Sequence, residues 1–113
     1  KEGLGNAWDR SIILTLTEFG RTVFENGTRG TDHGYGSVGL LAGGAITKSR
    51  VISDWPGLSK KEQFEQRDLM STIDYRSVCA ACIENALGLD HDLIAEKVFF
   101  TPKLPRIFNN IFS

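Results

Sequence analysis

The feature that most constrains this chain is an unbroken apolar and β-branched run near its start, Ser11-Ile12-Ile13-Leu14-Thr15-Leu16-Thr17. The run is continuous rather than alternating. That pattern predicts a strand buried on both faces, as in a parallel sheet covered by helices. Residues 18–36 follow, with five glycines among them. They predict a long loop at the carboxyl end of that strand. In open α/β sheets this is where sites are built, and long loops in compact domains usually carry function.

The rest of the chain extends the pattern. Residues 37–42 (SVGLLA) predict a second strand stopped by Gly43-Gly44, and Val51-Ile52 a short third. Asp54-Trp55-Pro56-Gly57 is a turn signal, with Trp55 expected as a core anchor beneath it or, alternatively, as a substrate-side wall. Ser59 is placed to cap a short helix over residues 60–65, with Glu62 as its capping-box partner. Residues 69–73 read as extended. The clearest helix spans residues 75–87, with Asp74 as N-cap and Gly88 just past its end. Its apolar stripe is Val78, Cys82, Ile83, Ala86 and Leu87. Asp90 caps a last short helix over residues 93–97. His91 reads as part of a polar helix start rather than a ligand. The tail carries Phe99, Phe100, Phe108 and Phe112, which must dock or leave a sticky surface. The fold class expected is α/β: a small, mostly parallel sheet flanked by helices.

Charge narrows the function classes. Thirteen basic residues stand against 14 acidic ones, for a net charge of −1. The basic residues are scattered, so no nucleic-acid footprint arises. No apolar run approaches the roughly 20 residues of a membrane span. No P-loop, dinucleotide fingerprint or G-x-S-x-G elbow is present. Cys79 and Cys82 form C-x-x-C, but inside a helical pattern. Buried structural thiols are expected there rather than a redox pair.

Two segments carry candidate chemistry. In Thr31-Asp32-His33-Gly34, an adjacent carboxylate and imidazole suit a divalent ion, with Gly30, Gly34 and Gly36 letting the backbone turn around it. The plainer alternative is an Asx-turn at Asp32 with His33 merely exposed. In Glu18-Phe19-Gly20-Arg21, Glu18 stands as a metal ligand or general base, and Arg21 as a contact for phosphate or sulfate oxygens. The alternative is a Glu18–Arg21 ion pair closing the loop.

The ordered series resembles the C-terminal part of the DUF1501 family. It comprises Thr17-Glu18-Phe19-Gly20-Arg21-Thr22, Glu25-Asn26-Gly27, Gly30-Thr31-Asp32-His33-Gly34, Gly43-Gly44, Arg50-Val51, Asp54-Trp55-Pro56-Gly57-Leu58, Arg67-Asp68-Leu69 and Thr72-Ile73-Asp74-Tyr75-Arg76. That family resembles the alkaline phosphatase/sulfatase superfamily. The resemblance implies an α/β/α domain of which residues 1–113 are one C-terminal piece. The opening residues, which read as a helix end running into a strand, fit that expectation. It implies a divalent metal (zinc, calcium or manganese) held in part by Asp32, His33 and Glu18, and a small anionic ester as substrate. It implies an exported, periplasmic bacterial protein. The superfamily's nucleophile and early Asp ligand have no counterpart in this chain, so it is expected to be silent alone. Self-association through the apolar tail or a sheet edge is also expected. A non-catalytic binding or envelope role is the alternative.

Overall fold

The computed structural model describes residues 2–108, 111 and 112. The chain divides into two compact units, one of residues 1–14, 41–51 and 74–113, the other of residues 15–40 and 52–73.

The first unit opens with 3₁₀ turns over Glu2–Arg10, kinked at Gly5. Strand β1 (Ile13–Leu14) then pairs antiparallel with β4 (Leu41–Ala42), placing Ile13 opposite Ala42. The expected parallel sheet is not found, and only two residues of the apolar run enter a ladder. A parallel pair requires a crossover of a dozen or more residues, usually a helix. No helix lies among residues 15–40, so the partner strand returns antiparallel. Nor is the run buried on both sides, since Ile13 is 49% exposed.

Helix α1 (Tyr75–Leu87) forms as its capping signals require. The Asp74 carboxylate accepts from the Arg76 N–H at 2.8 Å. Gly88 ends the helix at φ 65°, a left-handed conformation that costs a Cβ-bearing residue and suits glycine. Helix α2 is His91–Lys97, and Asp90 accepts from the Asp92 and Leu93 N–H groups. The core joins Ala80, Ile94, Ala95 and Leu104, with Ile83 and Phe99 packed against it. The buried stripe of α1 is Ser77, Val78, Ala80 and Ala81, not the stripe that ends in Ala86 and Leu87. On that side Ala80 packs against Ile94 and Ala95 of α2.

His91 opens α2 directly after the Asp90 cap, at the helix start expected, but it is buried. It is 1% exposed, and its Nε2 donates to the Leu104 carbonyl at 2.9 Å. Glu84 lies 3.6 Å from Nδ1 and also accepts from Arg106 at 2.8 Å. These contacts tie the tail to both helices. The tail therefore docks in part, through Leu104 and Ile111, while Phe100 stays exposed.

In the second unit, β2 (Gly20–Arg21) pairs antiparallel with β3 (His33–Gly34). Residues 67–69 run along the other side of β2: the Arg21 carbonyl accepts from the Leu69 N–H at 3.0 Å, and the Val23 N–H donates to the Arg67 carbonyl at 2.8 Å. The expected helix over residues 60–65 shrinks to one 3₁₀ turn, Lys60–Glu62. The Ser59 N–H donates to the Glu62 carboxylate at 2.9 Å, and hydrogen bonds from Ser59 hold that carboxyl below its ordinary value. Trp55 is 63% exposed and anchors no core. Val51-Ile52 forms no strand. The architecture is α+β, with helices and small antiparallel ladders.

Candidate functional site

The predicted site residues all fall on or beside the β2–β3 ladder. Residues 18–36 are a hairpin rather than a structureless loop. Its organiser is Asn26, whose side-chain oxygen accepts from the N–H groups of Thr28 and Gly30, both at 3.0 Å, and from the Thr28 hydroxyl at 2.8 Å. Arg29 turns the chain at φ 63°. The Asx-turn expected at Asp32 is thus made by Asn26. The signal was present in the sequence, because Asn-Gly between two paired segments is a strong hairpin mark.

Backbone spacing decides what faces what. The Thr22 N–H donates to the Asp32 carbonyl at 3.1 Å, and the Thr22 hydroxyl accepts from the Asp32 N–H at 3.1 Å. Between these residues and the Gly20–Gly34 pair stands Arg21 opposite His33. The Arg21 amide group points away from β3, its N–H donating to the Gly36 carbonyl at 3.0 Å. Arg21 and His33 are therefore a non-hydrogen-bonded pair, the kind whose facing side chains come closest. Gly34 permits the approach. A Cβ there would stand 2.5 Å from the Arg21 carbonyl carbon.

Each side chain of the pair is braced. The His33 ring stacks on Phe19, centroids 4.2 Å apart and planes 2° from parallel. Phe19 is two residues before Arg21, so alternation puts both on the face that His33 occupies. The Arg21 guanidinium donates to the Thr31 carbonyl at 3.0 Å. No ion pair joins Arg21 to Glu18, which is exposed at a bend where the Thr17 hydroxyl accepts from the Phe19 N–H. Just past β3, Tyr35 stacks on Phe64 at 4.0 Å. Sequence reasoning missed Phe19 and Thr22, whose roles rest on cross-strand register, and Asn26, whose role is local to the turn.

Asp32 is engaged differently from its neighbour. Its carboxylate accepts from the Asn26 side-chain amide at 2.8 Å, which ties it to the hairpin loop, while His33 lies on Phe19. Among the described residues, no three His, Cys, Asp or Glu side chains stand together as a metal site needs. Asp32, His33 and Glu18 thus do not by themselves make a metal centre. What they flank is an exposed face with an oriented guanidinium and an oriented imidazole. Such a face can donate hydrogen bonds to an oxyanion.

Two further charged pairs are local ion pairs between near neighbours. Arg67 grips Asp68 at 2.7 Å and Arg76 grips Asp74 at 2.6 Å. Each guanidinium is pushed up by its carboxylate, and Arg76 holds Asp74 below the ordinary range. Cys79 and Cys82 are free and half-buried rather than sealed in the core. Burial raises both thiols, Cys82 to about 11, with Cys79 the second cause there.

No helix among the described residues is long and apolar enough to cross a membrane. Residues 1–93 match the model of a family described as a protein of unknown function, DUF1501. No curated protein and no solved structure matches the chain.

Proposed function

The chain belongs to the DUF1501 family, and on that premise we propose that its β2–β3 face is the anion-contacting wall of a sulfatase- or phosphatase-like ester hydrolase. The observation that carries this is the directly opposed Arg21–His33 pair, exposed on one face with both side chains oriented. Arg21 grips the non-bridging oxygens of a sulfate or phosphate ester, which a guanidinium matches with paired hydrogen bonds. His33 stands beside it as a further donor or as a single ligand to a divalent metal. Such a metal would polarise the ester and activate a nucleophile. Glu18, at the exposed bend, is the general-base candidate, and Asp32 holds the hairpin through Asn26. The nucleophile and the remaining ligands would come from outside the residues described here, within an alkaline-phosphatase-like α/β/α domain.

The test is turnover of an aryl sulfate and an aryl phosphate by the full-length protein, assayed with zinc, calcium and manganese in turn. Arg21→Lys keeps the charge but loses the fork, and should lower kcat/KM about tenfold or more. Turnover that Arg21→Lys leaves unchanged sinks the assignment.

A second reading is a non-catalytic member with a binding or envelope role. The scarcity of converging ligands among the described residues favours it. Inactivity of the wild-type protein with all three metals, together with Arg21-dependent binding of inorganic sulfate or phosphate, would select it.

A further inference from the structure

The C-x-x-C pair lies in the first unit and takes no part in the proposed function of the β2–β3 face. We propose that Cys79 and Cys82 form a two-coordinate thiolate site for a soft monovalent cation of the copper(I) type.

The argument begins with the helix. α1 is capped at both ends, by Asp74 and Gly88, and both cysteines lie inside it. Residues three apart on a helix are surface neighbours with Cβ atoms about 5–6 Å apart. A disulfide needs Cβ atoms only about 3.5–4.5 Å apart, so closing one would distort the helix. Both cysteines are free. An inserted metal ion removes the mismatch. Two metal–sulfur bonds of about 2.3 Å each let the sulfurs stand up to about 4.6 Å apart, which suits side chains whose Cβ atoms are about 5–6 Å apart better than a direct S–S bond does.

The surroundings select the metal. Burial first and Cys79 second raise the Cys82 thiol, so the two side chains share one patch of the helix surface. No third His, Cys, Asp or Glu joins them among the described residues. Structural zinc takes four ligands, and calcium and magnesium take oxygen, so neither class is served. Soft thiolates select copper(I). The buried neighbours Val78 and Ala81 give the pair an apolar flank, while the half-exposure of both cysteines leaves a way in. On binding, two S–H protons leave as two copper–sulfur bonds form, and no oxidation state changes.

The experiment is anaerobic titration of the reduced full-length protein with copper(I), against a chromogenic copper(I) chelator. The expected result is one ion per chain with a near-ultraviolet thiolate-to-copper band. Cys79→Ser and Cys82→Ser should each abolish the band and the capture, while His33→Ala retains both. X-ray absorption of the wild-type complex should give two sulfur neighbours, independently of how any variant folds. Three results would each overturn the site: no capture by the wild-type protein, wild-type capture by either single variant, or a copper environment with more than two ligands.

Discussion

The close packing at Gly34 makes a quantitative prediction for the proposed face. In Gly34→Ala the new Cβ would stand 2.5 Å from the Arg21 carbonyl carbon, 2.6 Å from its oxygen and 2.8 Å from the Thr22 nitrogen. All three are backbone atoms, so no side chain can swing aside. Ordinary carbon contacts begin near 3.5 Å, so β2 and β3 must part by about 1 Å. The Thr22 N–H to Asp32 carbonyl bond, 3.1 Å long, would then stretch beyond hydrogen-bonding distance. Overpacking of this kind costs about 1–3 kcal/mol, and the lost bond about 0.5–1.5 kcal/mol more. The expected destabilisation is about 2–4 kcal/mol, read as a lower urea midpoint by circular dichroism. Hydrogen exchange locates it: the Thr22 amide should lose more protection than the amides of α1. An unchanged midpoint with Thr22 still protected would refute the claim that Gly34 sets the Arg21–His33 spacing.

Other consequences are as direct. Asp74→Ala removes the cap of α1 and should cost about 1 kcal/mol by thermal or urea unfolding. Because Arg76 holds the Asp74 carboxyl below its unfolded value, that contribution is present above about pH 4 and is lost as pH falls through the lowered folded value. The difference between wild type and variant should therefore shrink in acid, and a gap that widens in acid contradicts the assignment. With its thiol at about 11 against an ordinary 9.0, Cys82 should carry roughly 100-fold less thiolate at neutral pH. Iodoacetamide should label it far more slowly than a free peptide thiol, and equal rates would count against its burial. Ile94→Ala empties the centre of the helical core, where Ile94 is 1% exposed. It should cost about 2–5 kcal/mol in urea unfolding, and a loss under 1 kcal/mol would show that the core lies elsewhere.

The sequence by itself determined what depends on neighbours along the chain. Asp74, Gly88 and Asp90 mark helix ends because capping joins a side chain to amides two or three residues away. Asn26-Gly27 likewise held the hairpin locally, although residues 18–36 were expected to be loop. The ordered motifs carried the family. Only the tertiary structure decided strand direction and burial. A run such as residues 11–17 reports apolar content, but the same side chains suit a parallel or an antiparallel ladder, and the missing crossover helix settled which. The burial of His91 at its helix start was not legible for a related reason: the partners that bury it, Leu104 and Glu84, lie 13 and seven residues away. The candidate residues Glu18, Arg21, Asp32 and His33 were legible as chemical types. That Arg21 stands against His33, while Asp32 turns to Asn26, is a matter of register, which comes from the pairing of distant backbone and not from any residue alone.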